Sequence, residues 1–315
     1  MLYIGFFLLS VGLTYLIRYY AQRTAIVDIP NERSSHKTPT PRGGGLAIIL
    51  VFFVGLFLLR EQVEARLFCA LLFGIPIAII SLVDDIVSLS SRVRLIVHAL
   101  SAVGALWCLG GVSKVDLICC SIEGEWLNII VVLAMVWITN LYNFLDGIDG
   151  YAGIEALTLG LGIFIFFQNP LGLVIMAAVM GFLVFNWHKA SIFMGDVGSA
   201  TLGFLFSVFM FYDTTSGNIY IWLVLLSIFW LDATVTLIRR YINHENIAKP
   251  HKKHAYQRLV QSGWSHSQVA TGALLINGLF LILLYYMERK WIVFLVNILV
   301  LLLVMKYIDK KKSFI

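Results

Sequence analysis

The feature that most constrains this chain is a series of eleven long apolar segments that recurs from one end to the other. They lie near 1–20, 44–60, 66–83, 94–110, 126–143, 151–168, 170–187, 198–212, 218–238, 269–287 and 291–307. A helix needs about 20 apolar residues to cross the hydrocarbon core of a bilayer, and most of these segments approach that length. We therefore predict an all-α, polytopic integral membrane protein with about eleven transmembrane helices, of which the segment at 198–212 is the shortest.

The amino-acid composition excludes several other classes of protein. Apolar residues make up 60% of the chain and charged residues only 13%, whereas a soluble domain has about 25% charged residues. A soluble enzyme, a disordered chain and a nucleic-acid-binding module are excluded on this ground. The absence of period-two alternation argues against an outer-membrane barrel. With no long polar tract between the segments, residues 1–315 are predicted to form a single membrane domain.

The four cysteines give no indication of redox chemistry. Cys69, Cys108, Cys119 and Cys120 form no C-x-x-C motif, and adjacent cysteines rarely bridge. We interpret all four as ordinary apolar residues.

Lysine and arginine are distributed unevenly across the predicted membrane. An odd number of spans places the two termini on opposite sides, and 18 of the 23 basic residues fall on the side of the C-terminus. The positive-inside rule makes that side cytoplasmic and the N-terminus external. The same side carries the loops rich in polar side chains, so we predict an active site at the cytoplasmic face. These loops cover 21–43, 84–94, 140–150, 188–197 and 239–268.

Two adjacent carboxylates, Asp84 and Asp85, end the third apolar segment. An ionised carboxylate is costly within a membrane, and two like charges raise each other's pKa unless a cation lies between them. Oxygen ligands suit Mg²⁺, so this pair is interpreted as a magnesium-binding or phosphate-handling site. A solvated helix end is the alternative.

Four polar residues at three-residue spacing end the fifth segment: Asn140, Asn143, Asp146 and Asp149. In a helix this spacing places side chains on one face. Glycines directly after both aspartates favour a close approach of backbone to a ligand. We predict that this run holds a metal ion or a substrate, the alternative being ordinary Asp-Gly turns.

A glycine-flanked aspartate, Asp196, precedes the eighth segment in the sequence Gly195-Asp196-Val197-Gly198. A helix that starts here offers free backbone N–H groups to a phosphate. The alternative role for this aspartate is a helix N-cap.

Two inner loops combine basic residues with other polar groups. The first contains Lys37 and Arg42 beside prolines and glycines, and these cations can neutralise phosphates. It is not a Walker A motif, because the Gly-Lys-Ser/Thr ending is missing. The longest loop carries His251 and His254 among lysines, which suits a diphosphate or sugar, unless it is simply a positive-inside loop. Asp232, within the preceding segment, is a functional candidate because ionisable groups in spans are costly.

In this order the motifs resemble the polyprenyl-phosphate N-acetylhexosamine-1-phosphate transferases, a superfamily that includes the MraY and WecA enzymes. The resemblance extends from about residue 20 to residue 260. The number of spans is similar to that of the WecA branch, and the stretch from His251 to Gln257 resembles the WbpL-type enzymes. Ser88 stands where the MraY pattern has lysine, with Arg92 and Arg94 following, which argues against a muramyl-pentapeptide substrate.

The resemblance implies a bacterial inner-membrane enzyme that transfers a sugar 1-phosphate from a UDP-N-acetylhexosamine to undecaprenyl phosphate and releases UMP. It implies Mg²⁺ as the cofactor, with Mn²⁺ as a substitute. Implied catalytic residues are Asp84, Asp85, Asp146 and Asp149; implied metal ligands are Asp196, Asp85 and Asn143. Implied substrate contacts are Lys37, Arg42, Asn140, Asn143, His251 and His254.

Several alternatives remain open at this point. The sugar could be N-acetylglucosamine or a 6-deoxy sugar, and the pathway O-antigen or another cell-surface polysaccharide. An MraY-type transfer in peptidoglycan synthesis and, in a different class, a lipid or ion transporter are the rival functions. A transporter should distribute its charges across the membrane depth and on both faces, whereas here they lie on one side. Membrane lipid is an expected partner, nucleic acid is not, and homodimer formation is open.

Overall fold

The computed structural model of the protein describes residues 1–24, 27–28, 38–117, 120–214, 218–246, 249 and 251–314. Helices account for most of these residues. The helices are α1 (Leu2–Arg23), α2 (Gly45–Leu58), α3 (Ala65–Leu72), α4 (Gly74–Val87), α5 (Ser91–Leu109), α6 (Leu127–Leu145), α7 (Tyr151–Phe167), α8 (Leu171–Asn186), α9 (Asp196–Tyr212), α10 (Asn218–Leu225), α11 (Ser227–Ile242), α12 (Ala255–Gln261), α13 (His266–Tyr286) and α14 (Lys290–Lys311).

Two short antiparallel strand pairs supplement the helices. Strand β1 (Val27–Asp28) pairs with β2 (Thr40–Pro41), and β3 (Lys114–Asp116) pairs with β4 (Ser121–Glu123). A single 3₁₀ turn, Arg60–Gln62, follows α2. The strands lie in connections, so the prediction of a helical membrane protein is confirmed.

Each predicted apolar segment coincides with a helix or a pair of helices. Among the described residues, six helices are long and apolar enough to cross a membrane, and a seventh span is possible if α10 and α11, bent by 71° at their junction, count as one. In this count α3 and α4 form one span, Ala65–Val87. Four shorter apolar helices, α2, α7, α8 and α9, complete the set. The chain is a multi-pass membrane protein, and the count of eleven spans stays a prediction.

The interruption between α3 and α4 has a chemical cause in the sequence. Pro76 lies in the first turn of α4 and has no N–H to donate to the carbonyl of Leu72. The helix therefore restarts at Gly74, although the apolar pattern runs through the break.

Helix α9 lies at the centre of the bundle. Every residue from Val197 to Phe211 is buried, and the helix packs against α6, α4 and α2. A helix that is apolar on all sides is stable only when other helices surround it. Its N-terminal residue, Asp196, is thereby fixed by the packing of the whole bundle.

The outer surface of the bundle is strongly apolar. Leu100, Ile129 and Leu303 each expose more than half of their side chains, at 66%, 67% and 57%. Similar residues cover the outward faces of α1, α13 and α14. So much exposed apolar area is rare in a soluble monomer but suits contact with lipid.

Two of the cysteines are paired. Cys69 on α3 and Cys108 on α5 form a disulfide with their Cα atoms 5.8 Å apart, within the usual range for such bonds. The interpretation of all four cysteines as plain apolar residues was therefore wrong for these two. Their separation of 39 residues leaves no local spacing signal. Cys120 is free and exposed, and Cys119 lies outside the described residues.

Candidate active site

The N-terminus of α9 is the point at which two predicted clusters meet. Asp85, buried in the last turn of α4, accepts hydrogen bonds from the backbone N–H groups of Asp196 (3.1 Å) and Val197 (3.0 Å). The first N–H groups of a helix have no partner within the helix, and its N-terminus carries a partial positive charge. The Asp85 carboxylate accepts hydrogen bonds from these N–H groups and brings a negative charge to the helix N-terminus. It therefore caps α9 from a position 111 residues earlier in the chain.

The glycine before Asp196 makes this contact possible. Gly195 has a φ of +75°, and a Cβ atom at this position would lie 2.6 Å from Oδ2 of Asp85. Only glycine both adopts this backbone conformation readily and leaves room for the carboxylate. The glycine-flanked pattern thus has a steric reason in addition to ligand access.

Arg94 joins the other two carboxylates of the clusters. Its Nη1 atom lies 2.7 Å from Oδ2 of Asp84 and 2.6 Å from Oδ2 of Asp196. The second oxygen of Asp84 accepts the backbone N–H of Leu89. Arg94 was not among the predicted site residues, although its place in a basic stretch of the 84–94 loop was a usable signal.

The run at the end of α6 contributes to the same centre. Oδ1 of Asn143 accepts a hydrogen bond from the Ser199 hydroxyl on the first turn of α9 (3.3 Å). Asp146 follows α6 directly. Burial raises the pKa of the Asp146 carboxyl to about 8, and the charges of Asp196, Asp85 and Asp149 contribute to the increase. Asp146 therefore keeps its proton to a higher pH than an exposed aspartate does.

Asp149 contacts a different set of partners. Its Oδ2 atom lies 2.8 Å from Nδ1 of His188 and 3.1 Å from Nδ1 of His266. Burial by itself would raise the pKa of Asp149, but the hydrogen bonds from His266 and His188 outweigh it, so the pKa lies below its ordinary value. Both histidines were missed as site residues because each lies in a separate loop or helix start.

The first inner loop reaches the same region through its backbone. The carbonyl of Pro41 accepts the N–H of Phe193 (2.8 Å), and the N–H groups of Gly44 and Gly45 donate to Phe193 and Met194 (2.9 and 2.8 Å). This short ladder brings Arg42 close enough to Asp85 for their charges to interact. Lys37 lies outside the described residues.

The predicted histidines, His251 and His254, lie around the start of α12. Asp232, in α11, accepts the backbone N–H of Ala255 with both oxygens (2.9 and 3.0 Å) and so caps α12. Nδ1 of His254 lies 3.5 Å from the same carboxylate, and the side chain is buried. Burial lowers the pKa of His251 to about 4, with further contributions from His254 and Arg240. His251 is therefore neutral at physiological pH.

Asn140 is placed apart from the carboxylates. Its side-chain amide donates to the carbonyl of Val136 one turn earlier (2.7 Å). Together with Arg92 and Trp137 it lines a cavity of about 380 Å³ between α5 and α6. Of the four residues at three-residue spacing, Asn140 and Asn143 therefore lie on α6, while Asp146 and Asp149 follow in the turn after it.

The donor atoms at the centre fit a Mg²⁺ ion. Asp84, Asp85, Asp146, Asp196 and Asn143 offer oxygen atoms alone, the ligand type that Mg²⁺ prefers. After burial, the charges of Asp196, Asp85 and Asp149 contribute to the raised pKa of Asp146. A divalent cation would offset the repulsion among these carboxylates.

Fold and site together define a class, a multi-pass membrane protein with an acidic centre at the start of α9. Comparison with known proteins gives the family. Residues 67–213 match Glycosyl transferase family 4. The chain is 30% identical to a probable undecaprenyl-phosphate N-acetylglucosaminyl 1-phosphate transferase of Bacillus subtilis, over 85% of this chain and 79% of the relative. It is 31% identical to a decaprenyl-phosphate N-acetylglucosaminephosphotransferase of Mycobacterium tuberculosis, over 80% and 73%.

A third relative comes from another branch. A phospho-N-acetylmuramoyl-pentapeptide-transferase of Thermotoga petrophila is 31% identical over 53% of this chain and 59% of its own length. The chain belongs to the polyprenyl-phosphate N-acetylhexosamine-1-phosphate transferases, and the predicted resemblance is confirmed.

Proposed function

We propose that this protein transfers N-acetylglucosamine 1-phosphate from UDP-N-acetylglucosamine to undecaprenyl phosphate at the cytoplasmic face of a bacterial inner membrane. Transfer of a sugar 1-phosphate to a polyprenyl phosphate is the activity to which its family membership points. An oxygen of the lipid phosphate forms a bond to the β-phosphorus, the bond from that phosphorus to the bridging oxygen breaks, and UMP leaves. The product is a lipid-linked precursor for a cell-surface polysaccharide.

The observation that carries this proposal is the convergence of three sequence clusters on the first turn of α9. Asp85 fixes that turn, and Arg94 joins Asp84 to Asp196. Phosphoryl transfer depends on positioning and charge neutralisation more than on covalent chemistry. A centre that assembles carboxylates around a basic residue suits a metal-bound diphosphate better than it suits a transport pathway.

We assign the metal site to Asp84, Asp85, Asp196 and Asn143, with Asp146 beside them. Mg²⁺, or Mn²⁺ in its place, would neutralise the diphosphate and polarise the phosphorus under attack. Arg94 and Arg42 spread the charge that develops on the leaving phosphate. Both oxygens of Asp85 also accept backbone N–H groups of α9, so Asp85 would position Asp196 in addition to its role in the metal site.

Substrate binding is assigned to residues around this centre. Arg42 and Lys37, the two basic residues of the first loop sequence, are assigned to the diphosphate, and Asn140 and Asn143 of α6 are assigned to the substrate. His251 and His254 are assigned to the sugar nucleotide, because they lie in the longest polar loop. His251 contributes hydrogen bonds rather than charge, since its pKa lies near 4. Catalytic roles stay with Asp84, Asp85, Asp146 and Asp149.

We assign the sugar from the names of the relatives. Those matched over about four-fifths of this chain or more are named for N-acetylglucosamine, while the muramoyl-pentapeptide enzyme is matched over 53%. Ser88, where the MraY pattern has lysine, also favours the first group.

Orientation and span number form part of the proposal. We assign eleven spans, with α2, α7, α8 and α9 crossing the bilayer although they are shorter than 18 residues. The N-terminus is then periplasmic and the C-terminus cytoplasmic, in accord with 18 of 23 basic residues on one side.

The test is an assay of UMP release by purified protein. The protein is incubated with undecaprenyl phosphate and, in turn, UDP-N-acetylglucosamine, a 6-deoxy analogue and UDP-MurNAc-pentapeptide, and the lipid product is weighed by mass spectrometry. We expect UMP and an added mass of N-acetylglucosamine phosphate, abolished by EDTA and strongly reduced in Asp196→Asn. No UMP with any sugar would contradict the transferase assignment, and full activity in EDTA would contradict the metal.

A further inference from the structure

A second convergence of ligand-type side chains lies beside the carboxylate centre and is built differently. Asp149, His188 and His266 each offer a ligand atom, and all of these atoms lie within 4.8 Å of one another. They come from the turn after α6, the loop after α8 and the first residue of α13. Three elements distant in sequence thus meet through nitrogen and oxygen donors.

Nδ1 of His266 faces two groups of Asp149 that make opposite demands on it. Nδ1 of His266 accepts the backbone N–H of Asp149 (3.3 Å), which requires a lone pair on that nitrogen. The same Nδ1 lies 3.1 Å from Oδ2 of Asp149, an arrangement that requires a proton there. A single nitrogen cannot meet both demands. A metal ion bound to Nδ1 and to the carboxylate would bring these two atoms together without a proton between them, and the Asp149 N–H would then give up Nδ1 as its acceptor.

The distances fit such an ion. Oδ2 of Asp149 lies 2.8 and 3.1 Å from the two Nδ1 atoms. Ligand atoms around a tetrahedral zinc ion with bonds of about 2.0–2.1 Å are separated by about 3.3 Å. The side chains are therefore already near the required spacing.

The surroundings keep the ligands in place and leave a route for entry. Asn186 accepts the N–H of Gly150 (2.9 Å) and donates to the carbonyl of Ile192 (2.9 Å), so it ties the turn to the loop after α8. Asp149 and His266 are buried, while His188 is exposed. An ion can reach the cluster from solvent past His188.

We propose that Asp149, His188 and His266 bind a divalent transition-metal ion such as Zn²⁺, at a site separate from the Mg²⁺ centre. Imidazole nitrogen favours late transition metals, whereas an all-oxygen set favours Mg²⁺. Three protein ligands leave a fourth position for water or a substrate oxygen. The ion would fasten the turn that carries Asp146 and Asp149 to α13.

Cobalt provides the test, because Co²⁺ substitutes for zinc and is visible by absorption. Full-length protein in detergent is stripped with a chelator, returned to buffer with excess Mg²⁺ and titrated with Co²⁺. We expect one equivalent to bind with the visible bands of a nitrogen-ligated, low-coordinate ion, and Zn²⁺ to displace it. His188→Asn keeps a hydrogen-bond donor toward Asp149 but supplies a poor ligand, so Co²⁺ affinity should fall at least about tenfold.

The matched control is His244→Asn, which alters another exposed histidine and should leave the titration unchanged. His266→Asn is the second variant, with thermal melting to confirm that the protein is folded. A wild-type protein that binds no Co²⁺ under excess Mg²⁺, or an equal signal in wild type and His188→Asn, would overturn the proposal. UMP release with Mg²⁺, measured on the same samples, tests the transferase assignment separately, because Co²⁺ binding requires no substrate.

Discussion

At the scale of single residues, the structure separates the two carboxylates of the Asp84-Asp85 pair. Asp85 has both oxygens engaged by backbone N–H groups of α9, whereas Asp84 contacts Arg94. The pair that appears uniform in the sequence thus divides into a residue that positions α9 and a residue that belongs to a charge network. Arg94 completes this network, although it was not among the predicted site residues.

Arg94 gives the first prediction. Both of its carboxylate contacts use one atom, Nη1, so a lysine ammonium can replace it without the bidentate geometry of arginine. Arg94→Gln should lower kcat about 10–100-fold, the cost of about 1.5–3 kcal/mol for a charged hydrogen bond. Arg94→Lys should recover most of that loss. Equal activity of the two variants in the UMP assay would exclude a charge role for this position.

His251 gives a prediction about pH. Its pKa of about 4 lies below the ordinary value, so the unfolded chain takes up a proton at a higher pH than the folded protein does. The part of the free energy of unfolding that depends on the protonation of His251 is highest above about pH 6.5 and is lost as the pH falls toward 4. His251→Gln removes the group, and its melting temperature should fall less than that of wild type between about pH 7 and pH 5. Parallel melting curves would contradict the buried, neutral state of His251.

At the scale of elements, the contact between α4 and α9 depends on the absence of a side chain at Gly195. Gly195→Ala should destabilise the protein by about 1–3 kcal/mol and reduce activity, because its positive φ is strained for alanine and its methyl group would meet Asp85. Gly12→Ala is the matched control, since no atom lies within 4 Å of the added Cβ and the position is helical. In the control, thermal melting should show unchanged or slightly higher stability. Similar losses in both variants would contradict the steric argument.

The same elements show what the sequence could predict and what it could not. Apolar length located all the segments, because burial in lipid acts on each segment separately. The breaks at α3–α4 and α10–α11 were missed, since hydropathy continues across them. The glycine-flanked Asp196 and the Asp84-Asp85 pair were identifiable as local motifs. The His188 and His266 contacts with Asp149 were not, because they depend on how distant helices pack.

At the scale of the whole molecule, the proposed orientation predicts where single cysteines can be labelled. Variants with Cys at Lys253 or Ser313, made in a background without Cys119 and Cys120, should be blocked from a membrane-impermeant maleimide in intact cells and become reactive after permeabilisation. Cys at Glu125, in the β4–α6 connection, should react in intact cells. Labelling of Lys253→Cys or Ser313→Cys from outside would reverse the orientation and move the centre to the opposite face.

The disulfide between α3 and α5 adds a consequence of another kind. Cys69 lies in the first turns of α3 and Cys108 in the last turn of α5, the ends that the proposed orientation places toward the periplasm. Structural disulfides form and persist in the periplasm, whereas cysteine thiols in the cytosol are kept reduced. The disulfide can therefore form only after both helices have been inserted with these ends toward the periplasm. Protein from a strain that lacks a periplasmic thiol oxidase should carry two more free thiols than protein from the parent strain. This difference would report the orientation independently of the distribution of basic residues.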